Sequence, residues 1–213
     1  MRLAVLLSGR GSNFTAIHEA IAAGRLDATI VAVISNRPDA PGIEKARHWG
    51  HPAHVIDHKQ FAGRAAHEQA VRDVLDSANP DFIALAGYMR LLSPTFVAAF
   101  LNRIVNIHPS LLPAFPGVDA QAQAIAHGVK ISGCTVHFVD EGLDAGPIIV
   151  QRAVPVRDDD TAETLSARIL EQEHAAYVEA LQLLASGRYA IEGRRVIRAS
   201  GLGPRASDAP SVA

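Results

Sequence analysis

Short apolar runs alternate with amphipathic segments through the first half of the chain. Runs that are apolar throughout are typical of strands buried on both faces of a sheet, whereas apolar positions three and four apart are typical of helices. The predicted strands are Leu3–Leu7, Thr29–Ile34, His54–Ile56, Phe82–Ala86 and Ile104–Ile107. The predicted helices are Asn13–Ala23 (with Ser12 as its N-cap), Gly42–Trp49, Phe61–Leu75 and Pro94–Phe100. This βαβαβαβαβ order predicts an α/β fold with a Rossmann-like, mostly parallel sheet and helices on both faces.

The regular alternation of predicted strands and helices ends after Pro109. Two strand-like segments, Thr135–Val139 and Ile148–Val156, are joined by a turn rich in Gly and Asp, which predicts an antiparallel C-terminal extension of the sheet. No stretch resembles a linker, so we expect a single domain over residues 1–199 and a disordered, small and polar tail over residues 200–213. The other predicted elements are helices Ala120–Ala126 and Thr161–Ala185 and a last strand Arg195–Ile197.

Composition excludes several classes of protein. The 213 residues are 48% hydrophobic and 20% charged, which is close to the average of folded proteins and argues against a disordered or fibrous chain. The formal net charge of −2 gives no reason to expect a nucleic-acid partner. No apolar run approaches the roughly 20 residues that span a membrane. Cys134 is the single cysteine and cannot form an intrachain disulfide, so we expect a cytoplasmic protein.

The loop from Ser8 to Asn13 lies between the first predicted strand and helix. Its glycines allow close backbone approach, and the N–H groups at a helix N-terminus favour an anion, so the loop is a candidate phosphate site. A plain tight turn explains it equally well, because Phe14 replaces the third glycine of the dinucleotide fingerprint and no Walker lysine is present.

Asn106 and His108 lie two residues apart at the end of a predicted strand, on the same face. An amide donor beside an imidazole suits stabilisation of a developing oxyanion together with proton transfer. The turn from Asp140 to Pro147 carries three carboxylates, and one of them beside His108 would stabilise the protonated imidazole. Two capping polar residues and a solvated hairpin tip are the simpler alternatives.

Two further patterns are less specific. The segment Ala86–Leu92 follows a strand and suits either a pocket wall or ordinary packing. Four histidines are spaced by three, three and four residues, but Gly50 and Pro52 interrupt any helix that would align them, so a metal site is not expected. These histidines are His48, His51, His54 and His58.

Taken together, the motifs resemble the phosphoribosylglycinamide formyltransferase family of folate-dependent enzymes. The resemblance runs from Arg2 to about Tyr177 and rests on the joint order of RLAVLLSGRGSN, LAGYMRLLSP, NIHPSLLPAFPG, GCTVHFVDEGLDAGPI and LEQEH. It implies transfer of a formyl group from 10-formyltetrahydrofolate, as co-substrate and without a metal, to glycinamide ribonucleotide in purine biosynthesis. It also implies a phosphate-binding half over residues 1–100 and a catalytic and folate-binding half over residues 101–199.

The resemblance also implies a role for each matching residue. Catalysis would fall to Asn106, His108 and Asp144. The ribonucleotide would be bound by Gly11, Ser12, Asn13, Leu170, Glu171, Gln172 and Glu173, with Glu173 nearest its amine. The folate would be bound by Arg64, Met89, Arg90, Leu91, Leu92, Asn106, Asp140, Glu141, Gly142, Leu143 and Asp144. The family commonly has a histidine where this chain has Asp119, and we expect the catalytic trio to suffice without it.

Other functions stay open on the sequence. A formyltetrahydrofolate hydrolase shares this core, although such enzymes usually carry a preceding regulatory domain. A methionyl-tRNA formyltransferase would need a tRNA-binding module, for which the residues after Tyr177 are too few. A non-catalytic nucleotide-binding module would use the first loop and leave Asn106 and His108 without a role. We expect small-molecule partners, neither nucleic acid nor membrane, and a monomer or homodimer.

Overall fold

A computed structural model describes residues 1–199 as one α/β unit. The strands are β1 (Arg2–Leu7), β2 (Thr29–Ser35), β3 (Ala53–Val55), β4 (Phe82–Leu85), β5 (Ile104–His108), β6 (Ile131–Phe138), β7 (Ile148–Pro155), β8 (Tyr189–Glu192) and β9 (Arg195–Arg198). The helices are α1 (Ser12–Ala22), α2 (Pro41–His48), α3 (Arg64–Ala78), α4 (Pro94–Ala99), α5 (Ala120–Ala126) and α6 (Ala162–Ser186), with a 3₁₀ turn over His58–Gln60.

The strands form one mixed sheet in the order β3-β2-β1-β4-β5-β6-β7-β9-β8. Strands β1 to β5 pair in parallel, whereas β6 runs antiparallel to both β5 and β7. Strand β1 has β2 on one side and β4 on the other, so the strand order reverses at β1. In open α/β sheets such a switch point leaves a crevice at the carboxyl ends of the strands. The predicted fold class, a mostly parallel sheet with an antiparallel C-terminal part, is confirmed.

Two apolar cores cover the faces of the sheet because successive side chains of each buried strand point to opposite sides. On one face, Leu3, Val5 and Leu7 pack with Phe14 of α1 and Leu181 of α6. On the other face, the alternate residues of β1 pack with helices α3 and α4. Within residues 1–199, the structure contains no helix with the length and apolar character needed to cross a membrane.

Several local predictions differ from the structure, among them the start of β6, which lies at Ile131 rather than Thr135. Gly11, not Ser12, is the N-cap of α1, because it adopts a left-handed conformation with φ of 67° and Ser12 is already helical. Helix α3 begins at Arg64 rather than Phe61, because Phe61 is extended where it follows the 3₁₀ turn and Gly63 is the N-cap of the helix. Strand β8 is absent from the predicted elements, since it has only four residues and forms by pairing with β9 and packing on the core. The tail prediction for residues 200–213 lies outside the described residues.

Candidate active site

The carboxyl end of β5 carries a buried cluster of polar side chains. Because β5 and β6 are antiparallel, Asn106 lies directly opposite His137, and His108 lies opposite Thr135. The loop between β6 and β7 brings Asp144 to the same place. The structure therefore brings together the three predicted catalytic residues and adds a second histidine.

His108 is held between two hydrogen-bond acceptors. Its Nε2 lies 2.8 Å from the carbonyl oxygen of Phe115, and its Nδ1 lies 3.3 Å from Oδ2 of Asp144. The side chain of His108 is 5% exposed and that of Asp144 is 13% exposed, so water contributes little to either. A neutral imidazole has one N–H and can donate to only one acceptor, whereas the imidazolium donates to both. Both ring nitrogens of His108 therefore face an oxygen acceptor.

Asp144 is fixed by its backbone as well as by its side chain. It adopts a left-handed conformation, with φ of 49°, in the turn that precedes β7. Its Oδ2 also accepts a hydrogen bond of 2.9 Å from the backbone N–H of Gly117. Two residues later, a Cβ at Gly146 would lie 1.9 Å from the carbonyl oxygen of Phe138, so only glycine lets the turn close against β6. The carboxylate is thereby held against the loop that follows His108.

His137 is the residue of this cluster that the sequence did not single out. It is 2% exposed, with Nε2 lying 3.3 Å from Nδ2 of Asn106 and 3.7 Å from Oδ1 of Asp144. Burial lowers the pKa of His137, and the nearby His108 acts in the same direction. The residue lies within an apolar strand and only its pairing with Asn106 marks it, so the one available signal was the register of two strands distant in sequence.

The amino end of α1 forms a second polar region. The N–H groups of the first helical turn lie beyond Gly11, and a Cβ at Gly11 would lie 3.2 Å from Cα of Gly42. Asn13 donates a hydrogen bond of 2.9 Å to Oε2 of Glu173 on α6. Burial raises the pKa of Glu173, and the Oδ1 of Asn13 is buried without a partner among the described residues. An unpaired acceptor beside a carboxyl group suits a ligand that donates N–H groups.

The four predicted α6 residues do not all reach this region. Glu173 faces Asn13, and half-buried Leu170 precedes it by one helical turn. Glu171 is exposed and lines a separate groove between α1 and α6, together with His174. Gln172 is half-buried. The structure thus brings Glu173 to the amino end of α1 and leaves Glu171 outside.

The loop between β4 and α4 has anchored ends and free side chains. The backbone N–H of Met89 donates to Oγ of Ser8 over 2.8 Å, and the backbone N–H of Ser93 donates to Oε1 of Glu68 over 2.8 Å. Between these anchors, the side chains of Met89 and Leu91 are 81% and 69% exposed. Large apolar side chains held in the open by a fixed backbone suit contact with an apolar ligand. Arg90 and Leu92 are half-buried in the same loop, and exposed Arg64 begins α3.

The remaining predicted residues lie around the acidic turn. Asp140 accepts a hydrogen bond of 3.0 Å from the N–H of Gly142, which shapes the turn, while Glu141 and Leu143 are exposed. Asp119 precedes α5 in a left-handed conformation and makes no side-chain capping bond. Within residues 1–199, no group of three or more His, Cys, Asp or Glu side chains is arranged to hold a metal ion.

The sequence and the fold of the chain are similar to those of known formyl transferases. The family model described as formyl transferase matches residues 1–181. The phosphoribosylglycinamide formyltransferase of Bacillus subtilis is 44% identical over 86% of this chain and 94% of its own. The crystal structure of glycinamide ribonucleotide transformylase 1 from Symbiobacterium toebii superimposes with a TM-score of 0.91 and 51% identity, covering 93% of this chain and 94% of that one.

A longer relative contains the same unit. The trifunctional purine biosynthetic protein adenosine-3 of Drosophila melanogaster is 49% identical over 87% of this chain, which spans 14% of that protein's length. The likeness therefore extends both to a relative of similar length and to one part of a much larger chain. The chain belongs to the formyl transferase family.

Proposed function

We propose that the chain transfers the formyl group of 10-formyltetrahydrofolate to the amine of 5'-phosphoribosylglycinamide in de novo purine biosynthesis. The products are 5'-phosphoribosyl-N-formylglycinamide and tetrahydrofolate. The observation that carries the proposal is the buried cluster of Asn106, His108 and Asp144 at the carboxyl end of β5. Similarity to phosphoribosylglycinamide formyltransferases along nearly their full length supports the choice of substrates.

The reaction needs donors where negative charge develops. As the amine nitrogen bonds to the formyl carbon, charge builds on the formyl oxygen, and the bond from that carbon to the folate nitrogen then breaks. The Asn106 amide and the His108 imidazolium supply the donors, and loss of one such donor typically costs about 2.7–4 kcal/mol of barrier. The folate supplies the activated formyl group and the leaving nitrogen, so the protein mainly positions and polarises the reactants.

Asp144 maintains the charge state that this step requires. Its carboxylate lies 3.3 Å from Nδ1 of His108 and stabilises the imidazolium. The amine loses one proton as it becomes an amide, and the folate nitrogen gains one as it leaves. We assign that transfer to water organised by Asp144, so no proton is gained or lost overall and no bond to the enzyme forms.

The amino end of α1 provides the ribonucleotide site. The backbone N–H groups of Gly11, Ser12 and Asn13 bind the phosphate, since a helix N-terminus favours an anion. The unpaired Oδ1 of Asn13 and the carboxyl group of Glu173 accept hydrogen bonds from the glycinamide portion. The half-buried Leu170 and Gln172 flank Glu173, whereas exposed Glu171 faces the separate groove.

The folate site is formed by three segments around the crevice. Met89, Leu91 and the half-buried Leu92 offer apolar contact to the rings, and the backbone of the Asp140–Asp144 turn offers polar groups to their edges. A folate ends in carboxylates, and the guanidinium groups of Arg64 and Arg90 suit them. The exposed apolar side chains between two anchored loop ends are the feature of this structure that fits such a ligand.

The wider assignments follow from this activity. We assign residues 1–199 to a single catalytic domain, with the ribonucleotide phosphate bound by residues 1–100 and catalysis and folate binding in residues 101–199. Arg64 and the Met89–Leu92 loop add folate contacts from the first half. The proposed partners are the two small molecules, and we propose a cytoplasmic protein that acts as a monomer or homodimer.

The test is release of the deformylated folate, followed by absorbance, from 10-formyldideazafolate. Purified protein is assayed with and without glycinamide ribonucleotide, and the His108→Ala variant is assayed beside it. We expect release that requires both the ribonucleotide and His108. Release without ribonucleotide would replace the proposal with a hydrolase, and ribonucleotide binding without release would replace it with a nucleotide-binding module.

A further inference from the structure

His137 lies at the centre of the polar cluster without a role in the reaction described above. It is buried in β6, and strand pairing places it directly opposite Asn106. Its two ring nitrogens have different neighbours. Nδ1 lies 2.8 Å from the carbonyl oxygen of Phe138, and Nε2 lies 3.3 Å from the amide nitrogen of Asn106.

The carbonyl neighbour determines where the ring carries its proton. A carbonyl oxygen only accepts hydrogen bonds, so Nδ1 must be the donor in that contact. A neutral ring with its proton on Nδ1 has a lone pair on Nε2, which accepts a hydrogen bond from Asn106. The carboxylate oxygen of Asp144 nearest to Nε2 is 3.7 Å away, beyond hydrogen-bond length, and the other oxygen already bonds Gly117.

This tautomer fixes the orientation of the Asn106 amide. The two ends of an amide are nearly the same size, so packing alone does not decide which end faces a neighbour. An acceptor at Nε2 of His137 orients the NH₂ end of the Asn106 amide towards it. One N–H of that group donates to Nε2, and the second N–H stays available for a ligand. A donor at Nε2 would draw the carbonyl end and turn both N–H groups away.

We propose that His137 is a positioning residue: as the neutral ring with its proton on Nδ1, it holds Asn106 so that the second amide N–H meets the formyl oxygen. This inference rests on the proposed function. It assigns the two histidines opposite states, because His108 has acceptors at both nitrogens whereas His137 has one acceptor and one donor.

The charges around His137 are consistent with a neutral ring. Burial is the largest influence and lowers its pKa, and the His108 side chain adds to that effect. The bond to the Phe138 carbonyl and the carboxylates of Asp144 and Asp140 act in the opposite direction and are outweighed. Asp144 shares its charge with His108, to which it lies closer.

Two substitutions of His137 distinguish the contribution of Nδ1 from that of Nε2. In His137→Asn the amide can still donate to the Phe138 carbonyl but has no atom at the Nε2 position. In His137→Gln the terminal amide reaches the Nε2 position and can present an acceptor to Asn106. We expect kcat to fall about tenfold or more in His137→Asn, because a misdirected donor loses much of its effect, and to recover to within about threefold of wild type in His137→Gln.

Asn106→Ala supplies the coupling test. If His137 acts only through Asn106, adding His137→Asn to Asn106→Ala changes kcat by less than about twofold, as a double-mutant cycle shows for residues that act as one unit. The control is His127→Asn, because exposed His127 also has Nδ1 at a carbonyl oxygen, that of Gln123, and we expect wild-type kcat and KM.

A spectroscopic measurement on the unmodified protein avoids any failure of variants to fold. In ¹⁵N-histidine-labelled protein, long-range ¹H–¹⁵N spectra report which nitrogen is protonated. We expect His137 to show a protonated Nδ1 and an unprotonated Nε2. A proton on Nε2, or loss of activity in His137→Gln with retention in His137→Asn, would overturn the inference. Inactive wild-type protein would instead overturn the proposed function, and the spectrum would still decide the tautomer.

Discussion

The carboxyl ends of β1 and β5 form two parts of one crevice by different means. At β1 the groups proposed to bind a ligand are mainly backbone N–H groups, presented by a left-handed glycine and the start of α1. At β5 they are side chains, namely an amide, two imidazoles and a carboxylate, whose nearest atoms lie 3.3 to 3.7 Å apart. Backbone N–H groups can donate hydrogen bonds at any pH, whereas the action of imidazoles and carboxylates depends on whether they are protonated. We therefore expect damage at β1 to change KM and damage at β5 to change kcat.

The largest effect is expected from removing the negative charge at β5. Asp144→Asn keeps an acceptor for the Gly117 N–H but no longer stabilises the His108 imidazolium. We expect kcat to fall about a hundredfold or more with little change in KM for the ribonucleotide, since transition-state donors are worth that much. Steady-state kinetics with Asp158→Asn as the control test this, because Asp158 is 90% exposed in a surface ion pair. A kcat within threefold of wild type would contradict the assigned role.

Glu173→Gln is expected to affect binding and stability in opposite directions. We expect KM for the ribonucleotide to rise about tenfold, because a hydrogen bond to a charged group is worth about 1.5–3 kcal/mol, with a smaller change in kcat. Titration calorimetry of the ribonucleotide is the direct measurement. Unchanged affinity in the variant would remove Glu173 from the site.

The stability change follows from the raised pKa of Glu173. Burial raises this pKa, so between the unfolded and folded values the folded state holds a proton that the unfolded state has lost, and stability falls as pH rises. The glutamine side chain does not ionise, so the variant does not lose stability as pH rises for this reason. Its amide oxygen can still accept the hydrogen bond from Asn13. We expect it to melt above wild type at pH 8, with the difference shrinking towards pH 4. A difference independent of pH would show that ionisation is not its cause.

Gly11→Ala tests whether backbone geometry alone forms the β1 site. A left-handed alanine costs roughly 1–2 kcal/mol, and its Cβ would also lie 3.2 Å from Cα of Gly42, so the loop must shift. We expect about a tenfold higher KM for the ribonucleotide. Gly24→Ala is the matched control, because Gly24 has nearly the same φ, 68°, and open space around its Cβ position. Equal KM changes in both variants would refute the contact argument.

The smallest effect is expected where the two ends of the crevice are connected. Ser8 follows β1; its hydroxyl accepts from the N–H of Met89 and donates to Oδ1 of Asn36, so Ser8→Ala should loosen the loop proposed to hold the folate. Of these two bonds only the one to Met89 holds the loop, and a neutral hydrogen bond is worth about 1 kcal/mol, which corresponds to about a fivefold rise in KM for the folate. Ser186→Ala is the control, because the Ser186 hydroxyl likewise donates one hydrogen bond, to the carbonyl oxygen of Leu183, and accepts one, from the N–H of Arg188. A change confined to the ribonucleotide KM would contradict this link.

The parallel half of the fold could be predicted because most of its strands are short and mainly apolar. The common face of Asn106 and His108 followed from strand periodicity alone. The position of Asp144 beside them needed the resemblance, since no local rule connects a turn to a strand end so far away in sequence. Their roles in substrate binding and catalysis stay predictions until the variants are measured.

What sequence reasoning missed depends on register and long-range packing. His137 gains its importance from pairing with Asn106 across β5 and β6, and nothing in its own neighbourhood reveals that pairing. The contact between Asn13 and Glu173 joins residues 160 positions apart. Strand β8 is too short to stand out, because it has only four residues and its position depends on pairing with β9 and on packing against the distant core.

The most direct test of the account is a crystal structure with glycinamide ribonucleotide and a folate analogue that cannot release its one-carbon unit. We expect the phosphate on the N–H groups of Gly11 to Asn13, and the oxygen that mimics the formyl oxygen within hydrogen-bond distance of both Asn106 and His108. A phosphate bound elsewhere, or that oxygen directed away from both side chains, would contradict the division between a binding end at β1 and a catalytic end at β5.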